Sequence, residues 1–387
     1  MKTVLMTGAH GFVGRNLGVF LRQGEKVRLI EVDINSPPEM LEEGLCKADV
    51  IFHLAGVNRP EKLEDYIVGN TGVTKDLCDR LQILGRAPII IFSSSIQAEM
   101  DNPYGVSKRR AEEVLMMFAE QTGAKIVIFR MKNVFGKWCR PNYNSAVATF
   151  CHNIARNLPI YISDPVNEVK LVYVDDVSAA MMEAAGLSPS LPTHFVSLSD
   201  SVYAEIAPAF KITLGTLVDT IYSFKATRSS LKVPAFDDPF ICRLYATYLS
   251  YLEESDFAYD LDIKTDNRGS LAEFLKSSSF GQIFISRTKP GITRGNHYHH
   301  TKTEKFLVVE GHAIIRFRHI KGNHVIEYRV SGDEFRVVDI LPGYTHTIEN
   351  IGDGDLVTLF WANQIFDPEQ PDTFYDEVLN LNCENPG

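Results

Sequence analysis

Short apolar runs alternate with helical segments over the first part of the chain. The runs occupy residues 4–7, 27–32, 49–54 and 89–92, and helical patterns follow at 12–23 and 104–121. This alternation predicts an α/β domain built on a doubly wound parallel sheet of the Rossmann type. Ligands of such sheets bind at the carboxyl ends of the strands, so candidate chemistry is expected there.

From residue 269 the pattern changes to short alternating strands that turns separate. The predicted strands are 282–287, 305–309, 313–319, 325–330, 334–340 and 356–361. Many short strands with regular turns are typical of an antiparallel barrel or jelly roll. We therefore predict two domains, an α/β domain over residues 1–250 and an all-β domain over residues 251–387.

Composition narrows the possible partners. The 387 residues are 45% hydrophobic and 23% charged, which is enough for two cores, and the net charge is −10. An acidic chain argues against nucleic acid or an anionic membrane as the main partner. The six cysteines form no C-x-x-C pair, and we expect neither a signal peptide nor a membrane-spanning segment. We expect reduced thiols and a cytoplasmic protein.

Three glycines follow the first strand and precede a helix. Gly8, Gly11 and Gly14 lie in the stretch G-A-H-G-F-V-G. Glycines in this context allow a tight turn and a close approach of the backbone to a pyrophosphate at the helix N-terminus. The stretch therefore predicts a dinucleotide site.

Charged residues beside this loop bear on the choice of cofactor. Glu31 and Asp33 lie at the tip of the second strand, where acidic groups bind ribose hydroxyls and favour NAD. Arg15, just inside the first helix, could instead contact a 2′-phosphate. The alternative is that all three are solvated loop charges.

A tyrosine and a lysine one helical turn apart follow the fourth strand. Tyr104 and Lys108 share a helix face, and the serine run 93–95 precedes them. We expect the ammonium of Lys108 to lower the pKa of the Tyr104 phenol, which would then donate a proton to a carbonyl oxygen. A serine hydroxyl could polarise the same carbonyl. The alternative is an ordinary helix face.

These residues make the first domain resemble the extended short-chain dehydrogenase/reductase family over residues 1–245. The resemblance implies that Ser95 is the catalytic serine, with Ser94 as the alternative, acting with Tyr104 and Lys108. The implied cofactor-binding residues are Gly8, Gly11, Phe12, Gly14, Arg15, Glu31, Leu54, Ala55, Gly56, Asn70, Tyr104 and Lys108.

This branch of the family acts on nucleotide-diphosphate sugars. The segment after the fifth strand, residues 130–136, resembles the one in which an asparagine faces the sugar nucleotide. The basic and aromatic run that follows is expected to contact the substrate, and an ordinary surface loop is the alternative. The candidate substrate residues are Asn133, Lys137, Trp138, Arg140 and Asn142.

The second domain carries a cluster of candidate metal ligands. His297 and His299 are two residues apart, so on a strand they would share a face, and Glu304 follows across a polar turn. With the later His346 they form a plausible shell for a divalent metal such as zinc. The spacing resembles the cupin family's first motif, and the region of His346 resembles its second motif less cleanly. The alternative is a histidine-rich turn that binds no metal.

The combination of the two domains resembles the bifunctional CapF-type enzymes of bacterial capsular and O-antigen polysaccharide synthesis. The stretches 54–60, 93–98, 135–145, 289–297 and 366–373 carry this resemblance. It implies a UDP-linked 4-keto-6-deoxy-N-acetylhexosamine as substrate, namely UDP-2-acetamido-2,6-dideoxy-4-hexulose. The cupin domain would epimerise C3, and the first domain would reduce the C4 ketone with NADPH to UDP-2-acetamido-2,6-dideoxy-L-talose, on the route to UDP-N-acetyl-L-fucosamine. A homodimer is also implied.

Three alternatives stay open from the residues alone. NADH could replace NADPH, because Glu31 and Asp33 are acidic. The barrel could be a binding or dimerisation module without catalytic activity. A 4,6-dehydratase or 4-epimerase is less favoured, because Ile96 and Gln97 follow Ser95 where dehydratases carry an acidic pair. No single residue stands out as the epimerase base; the candidates are Tyr298, His300, Lys302 and Tyr344.

Overall fold

The computed structural model describes residues 1–23, 27–187, 194–197 and 202–379. The chain forms two compact units. The first contains residues 1–222 and 243–252, and the second contains residues 223–242 and the chain from residue 253 onward. The chain thus passes between the units more than once, and the single boundary near residue 250 stays a prediction. In the parts of the chain that the structure describes, no helix is both long and apolar enough to span a membrane.

The first unit is an α/β fold. Its strands are β1 (Thr3–Thr7), β2 (Arg28–Val32), β3 (Val50–His53), β4 (Ile89–Ser95), β5 (Ile126–Met131), β6 (Asn133–Phe135), β7 (Glu168–Tyr173), β8 (His194–Ser197), β9 (Tyr203–Ala207) and β10 (Phe210–Thr213). The α-helices within the described residues are α1 (Phe12–Gln23), α2 (Pro38–Lys47), α3 (Glu64–Tyr66), α4 (Val73–Ile83), α5 (Pro103–Thr122), α6 (Ala146–Ala155), α7 (Val174–Ala184), α8 (Leu214–Ser230) and α9 (Pro239–Leu249). A π-helical segment, Ile67–Gly72, joins α3 to α4.

Seven strands form the main sheet in the order β2-β1-β3-β4-β5-β9-β8, and all neighbours are parallel except β8 and β9. Val4 and Met6 of β1 belong to one hydrophobic core and Leu5 belongs to the other, and all three are fully buried. Strands that are buried on both faces are apolar at every position, which is why the apolar runs predicted a parallel sheet. A second sheet contains β10, β7 and β6.

The second unit is built from antiparallel strands. They are β11 (Ile263–Asp266), β12 (Gly269–Ser277), β13 (Gly281–Thr288), β14 (Thr293–Tyr298), β15 (Glu304–Glu310), β16 (His312–His319), β17 (Val325–Ser331), β18 (Val337–Ile340), β19 (Tyr344–Asn350), β20 (Leu356–Ala362) and β21 (Phe374–Tyr375). They form one sheet in the order β11-β12-β13-β20-β15-β18 and another in the order β17-β16-β19-β14-β21.

The core of the second unit takes side chains from both of its sheets. Phe306 and Phe360 come from the six-stranded sheet, and Ile315 and Ile348 come from the five-stranded sheet. This is the arrangement of a cupin-like jelly roll, so the predicted fold class is confirmed for both units. The mostly polar β14 and the β19 strand were not among the predicted strands, and both carry candidate metal ligands.

Candidate functional site

The glycine loop joins β1 to α1 and packs closely on the chain after β3. Gly8 has a φ of 70°, and a β-carbon there would lie 2.7 Å from the amide nitrogen of Ala55. A β-carbon on Gly14 would lie 2.4 Å from the carbonyl oxygen of Gly8. Both positions therefore require glycine. The backbone cradle at the amino end of α1 fits a pyrophosphate group.

The acidic residues at the end of β2 are already engaged. A carboxylate oxygen of Glu31 lies 2.5 Å from a guanidinium nitrogen of Arg22. Asp33 accepts a hydrogen bond from the backbone nitrogen of His10 at 2.7 Å. Arg15 is exposed, and its side chain has no hydrogen-bond or ion-pair partner among the described residues. The negative charge available to a ribose is therefore smaller than the sequence suggested.

Ser95, Tyr104 and Lys108 meet at the carboxyl end of β4. The Ser95 side chain lies beside the Tyr104 hydroxyl and acts to lower the pKa of that hydroxyl. Lys108 donates from Nζ to the carbonyl oxygen of Ser93 at 2.9 Å. The start of α5 supports this arrangement, because Asn102 accepts a hydrogen bond from the Gly105 nitrogen at 2.8 Å and Pro103 is the first helical residue.

The expected effect of Lys108 on the pKa of Tyr104 is wrong. Burial raises the pKa of Tyr104, and the hydrogen bond from Ser95 only partly opposes it. The Lys108 ammonium instead contacts the carbonyl of Ser93, and burial lowers its own pKa to about 8. Tyr104 is therefore protonated at neutral pH, which is the form that donates a proton.

Ser94, the alternative catalytic serine, is bound to a buried carboxylate. It is 5% exposed and donates a hydrogen bond to Glu112, which is itself 1% exposed. Arg130 pairs with Glu112, with Nη2 and Oε2 at 2.6 Å. Sequence reasoning missed Glu112, although it lies one helical turn after Lys108. The Glu112–Arg130 pair thus helps to hold the end of β4 in place. The Ser94 hydroxyl is bonded to this pair and therefore has a structural role.

Two further buried polar residues hold the chain beside β3. Asn70, from the π-helical segment, donates to the Val57 carbonyl oxygen and accepts from the Val57 nitrogen, both at 3.0 Å. His53 lies between Thr7 Oγ1 at 2.8 Å and Thr74 Oγ1 at 3.0 Å, and burial lowers its pKa to about 3. Asn70 thus fixes the loop that the resemblance assigned to the cofactor, from a position that is 2% exposed.

An open cleft of about 1370 Å³ runs along the ends of these strands. The glycine loop, the serine run, Tyr104 and Lys108 line it. Its lining also includes Tyr143 of the basic and aromatic run, and residues that sequence reasoning did not assign to a site, among them Arg59, Tyr66, Lys132 and Tyr161. The cleft is large enough for a dinucleotide and a second ligand.

The candidate substrate residues divide into two groups. Asn133 and Asn142 line the cleft. The other three do not: Lys137 pairs with Asp175, Trp138 is 47% exposed, and Arg140 lies against the ring of Tyr143 at 5.3 Å. The Lys137 ammonium is thus neutralised within the fold.

The second unit gathers the four candidate metal ligands. One nitrogen or oxygen from each of His297, His299, Glu304 and His346 lies within 4.8 Å of the others. His297 of β14 pairs directly with His346 of β19, and Glu304 begins β15 in the other sheet. His297 and His299 both reach the cluster, as their two-residue spacing predicted, although β14 ends at Tyr298 and His299 lies just after the strand.

The charges of these side chains suit a divalent cation. His346 is 1% exposed, and neither of its ring nitrogens has a hydrogen-bond partner in the described chain. Burial lowers the pKa of His346 to about 3 and that of His297 to about 4. Burial would raise the pKa of Glu304, but its hydrogen bond with His299 contributes to a net lowering. Three imidazoles around a carboxylate, with the orphaned buried nitrogens of His346, fit a zinc-like ion.

Comparison with known proteins gives matches to each part of the chain and to nearly all of it. Residues 4–190 match the NAD dependent epimerase/dehydratase family, and residues 264–374 match the polysaccharide biosynthesis C-terminal domain. Over 371 residues the chain is 45% identical to the UDP-2-acetamido-2,6-β-L-arabino-hexul-4-ose reductase of Pseudomonas aeruginosa. That alignment covers 96% of this chain and 97% of the relative.

Solved structures agree with these matches. The capsular polysaccharide assembling protein CapF of Staphylococcus aureus superposes with a TM-score of 0.88 and 47% identity, covering 97% of this chain and 100% of that one. The UDP-glucuronic acid 4-epimerase of Bacillus cereus superposes with a TM-score of 0.52 at 16% identity, covering 64% of this chain and 98% of that one. The second match shows a shared fold alone.

Proposed function

Because the chain belongs to the CapF-type family of UDP-sugar reductases, we propose that it carries out two consecutive reactions on one UDP-linked keto sugar. The cupin domain, over residues 251–387, would epimerise C3 of UDP-2-acetamido-2,6-dideoxy-4-hexulose. The reductase domain, over residues 1–250, would then reduce the C4 ketone with NADPH to UDP-2-acetamido-2,6-dideoxy-L-talose. The observation that carries the proposal is the presence of two separate chemical centres in one chain, the Ser95–Tyr104–Lys108 group and the His297–His299–Glu304–His346 cluster.

The arrangement at the end of β4 suits ketone reduction. A bound nicotinamide cofactor would supply the hydride to C4 of the sugar. Tyr104, protonated because burial raises its pKa, donates its proton to the carbonyl oxygen as that oxygen gains negative charge. Ser95 holds the same oxygen by its hydroxyl, and the Lys108 ammonium, bonded to the Ser93 carbonyl oxygen, places a positive charge at the same end of β4. Hydride and proton together convert the ketone to an alcohol.

Charge at the end of β2 favours NADPH over NADH. Arg22 neutralises Glu31, and Arg15 presents an unpaired guanidinium near the glycine loop in sequence. A 2′-phosphate would meet less repulsion than the acidic residues alone predict, and Arg15 is the residue to bind it. NADH remains the second candidate, because Asp33 keeps its carboxylate beside the loop.

The cluster in the second unit suits removal of an acidic proton. His297, His299, Glu304 and His346 would hold a divalent ion such as zinc. Such an ion would supply Lewis-acid stabilisation of the negative charge that develops when the C3 proton is removed. The C4 ketone acidifies that proton only while it remains a ketone, so epimerisation precedes reduction.

A second function is favoured by the number of ligands. Four protein ligands would complete a tetrahedral shell, and this is the number of ligands in structural zinc sites, whereas catalytic sites keep a position open. In this reading the barrel is a binding or dimerisation module, and the first domain alone is an enzyme. A homodimer is proposed in either case, and light scattering on the purified protein tests it.

Proton NMR of the UDP-4-keto sugar in D₂O tests the proposal. The purified protein is added without any nicotinamide, with and without a chelator. We expect deuterium to enter at C3 with the metal-loaded protein and the exchange to stop after chelation. Adding NADPH then yields the reduced product, followed at 340 nm as loss of the reduced cofactor.

Tyr104→Phe separates the two steps. This variant should keep the C3 exchange and lose NADPH oxidation by about 10²- to 10⁴-fold, the usual contribution of a general acid. Ser94→Ala is the matched comparison for Ser95→Ala, because Ser95 acts on the Tyr104 hydroxyl whereas Ser94 is bonded to Glu112. Absence of C3 exchange in the wild-type protein would mean that the barrel is not catalytic and that the first domain alone is the enzyme. Absence of NADPH oxidation would contradict the reductase assignment.

A further inference from the structure

The stretch 366–373 resembles the family closely, yet neither proposed reaction uses it. It contains Asp372, which precedes β21 and lies beside the turn that carries His299. Two different groups of Asp372, its backbone carbonyl and its carboxylate, make hydrogen bonds to this turn. Each bond joins residues about seventy positions apart, so the contacts belong to the tertiary fold.

The backbone carbonyl oxygen of Asp372 lies 2.6 Å from Nδ1 of His299. A carbonyl oxygen only accepts hydrogen bonds, so Nδ1 is the donor in this contact. Nε2 faces the cluster, where it lies 3.3 Å from Oε2 of Glu304, and it is the ring nitrogen that a metal ion would bind. A hydrogen bond from the second ring nitrogen to a carbonyl is the usual way in which a histidine ligand is oriented toward a metal.

The carboxylate of Asp372 binds the turn that separates His299 from Glu304. It accepts backbone hydrogen bonds from His300 at 3.0 Å, Thr301 at 2.9 Å and Lys302 at 2.8 Å. The Thr301 hydroxyl adds a fourth hydrogen bond at 2.9 Å. Three successive N–H groups around one carboxylate fix the path of the turn.

Two further features fix the position of Asp372 beside the turn. Its φ is 38°, a left-handed conformation that aspartate and asparagine tolerate better than most residues. Lys302 reaches the other side of the same segment, where its Nζ donates to Thr373 Oγ1 at 3.0 Å. The turn and the segment are therefore bound to each other from both directions.

We propose that Asp372 is a positioning residue of the metal site: it holds His299 in the tautomer that presents Nε2 and fixes the turn that sets the distance from His299 to Glu304. This inference rests on the proposed metal-binding function of the cluster. It gives the stretch 366–373 a role in metal affinity and adds no new ligand.

The test compares zinc affinities of the full-length protein by competition with a chromogenic chelator. Asp372→Ala should bind zinc about ten- to hundredfold more weakly than the wild type, as outer-sphere partners of metal ligands usually do when removed. Asp372→Gly removes the carboxylate without straining the backbone and should weaken binding similarly. Asp372→Asn keeps one acceptor oxygen and the left-handed preference, so it should recover part of the affinity.

Asp266→Ala is the matched control. Its carboxylate also accepts a backbone hydrogen bond, from the Arg268 nitrogen at 2.9 Å, in a turn that contains no ligand. A merely structural role for Asp372 would lower the melting temperature of the metal-free protein in proportion to the lost affinity. We expect instead that metal-free Asp372→Ala melts at nearly the same temperature as the metal-free wild type. Adding zinc should raise the melting temperature of the variant less than it raises that of the wild type. Nitrogen-15 NMR of labelled histidine should also show loss of the Nδ1-protonated tautomer of His299.

The outcomes separate this inference from the proposed function. Equal zinc affinity of the wild type, Asp372→Ala and Asp372→Gly would overturn the role of Asp372, even if the wild type catalyses C3 exchange. Weakened binding in these variants supports it, even if the wild type catalyses no exchange and the epimerase proposal fails. A wild-type protein that binds no zinc overturns the inference outright.

Discussion

At the scale of single residues, buried titratable groups determine how the first unit responds to pH. Lys108 and Glu112 are both almost fully buried, and each is bonded to a charged or polar partner. His53 differs, because its partners are two neutral threonine hydroxyls. Burial therefore disfavours the charged form of His53, and neither of its bonded partners carries a negative charge that would offset this cost.

His53 should make the first unit less stable in acid. Burial lowers its pKa from 6.5 to about 3, so the unfolded chain binds one more proton than the folded chain between these pH values. The stabilisation is complete above pH 6.5 and is lost as pH falls toward the folded-state pKa. We expect the free energy of unfolding to fall by roughly 1.5 kcal/mol between pH 6.5 and 5 from this residue.

Urea unfolding of His53→Gln measures this contribution. Glutamine can still bond to both threonines but does not titrate, so the variant's stability should depend less on pH than that of the wild type. His10→Gln is the control, because His10 is exposed. Identical pH dependence of His53→Gln and the wild type would show that His53 does not supply the effect.

At the scale of elements, one strand irregularity brings two metal ligands together. The register of β14 against β19 shifts between Gly295 and His297, and the shift leaves His297 opposite His346. Gly295 has a φ of 104°, and a β-carbon there would lie 2.5 Å from the His346 carbonyl oxygen. The glycine thus permits the close approach of the two strands.

Gly295→Ala should separate these strands and weaken zinc binding by at least about tenfold, a loss comparable to that from removing a supporting partner of a ligand. Gly291→Ala is the matched control. Its φ is also positive, at 72°, but a β-carbon there would meet nothing within 4 Å. It should cost about 1 kcal/mol of stability and leave zinc affinity unchanged. Equal zinc affinities for the two variants would contradict this account of the bulge.

Elements whose signals are local could be predicted from the sequence, and those set by distant pairing could not. The glycine loop, the Tyr104–Lys108 spacing and the entry into α5 depend on residues a few positions apart. The histidine cluster was also found by spacing. By contrast, β14 is largely polar, so its sequence lacks the alternation of apolar and polar residues that predicts a strand. It is a strand because it pairs with β19, which lies about fifty residues further along the chain.

The same limit applies to supporting residues. Ser94 and Glu112 are 18 positions apart, and Asp372 and His299 are 73 apart. Nothing in the local spacing of these residues indicates that they meet. The pKa of Tyr104 was mispredicted for a related reason, because spacing places Lys108 on the same helix face but does not reveal that its ammonium is bonded to Ser93.

At the scale of the whole molecule, the two proposed reactions depend on different residues. A variant that lacks one activity should therefore complement a variant that lacks the other. Tyr104→Phe should epimerise without reducing, and Glu304→Gln should reduce only sugar that is already epimerised. Neither alone should form the final product from the starting keto sugar. Mixed together they should restore NADPH oxidation after a lag, because the epimerised sugar must diffuse from one protein to the other.

Absorbance at 340 nm follows this experiment, and heat-denatured Glu304→Gln added to Tyr104→Phe is the control. Product formation should rise with the concentration of either variant. A mixture that remains inactive, although each variant performs its own half-reaction, would mean that the epimerised sugar is not released.

The pairing of Glu31 with Arg22 gives cofactor choice a dependence on ionic strength. The Arg22 side chain is 54% exposed and the Glu31 side chain is 30% exposed, so dissolved ions reach the pair. The screening length shrinks from about 10 Å at 0.1 M salt to about 3 Å at 1 M, which weakens both this pair and any attraction between Arg15 and a 2′-phosphate. The ratio of NADPH to NADH affinity should therefore fall as salt rises, and fluorescence titrations at the two concentrations would measure it. The cofactor that this protein prefers would then be a property of the protein together with the ions around it.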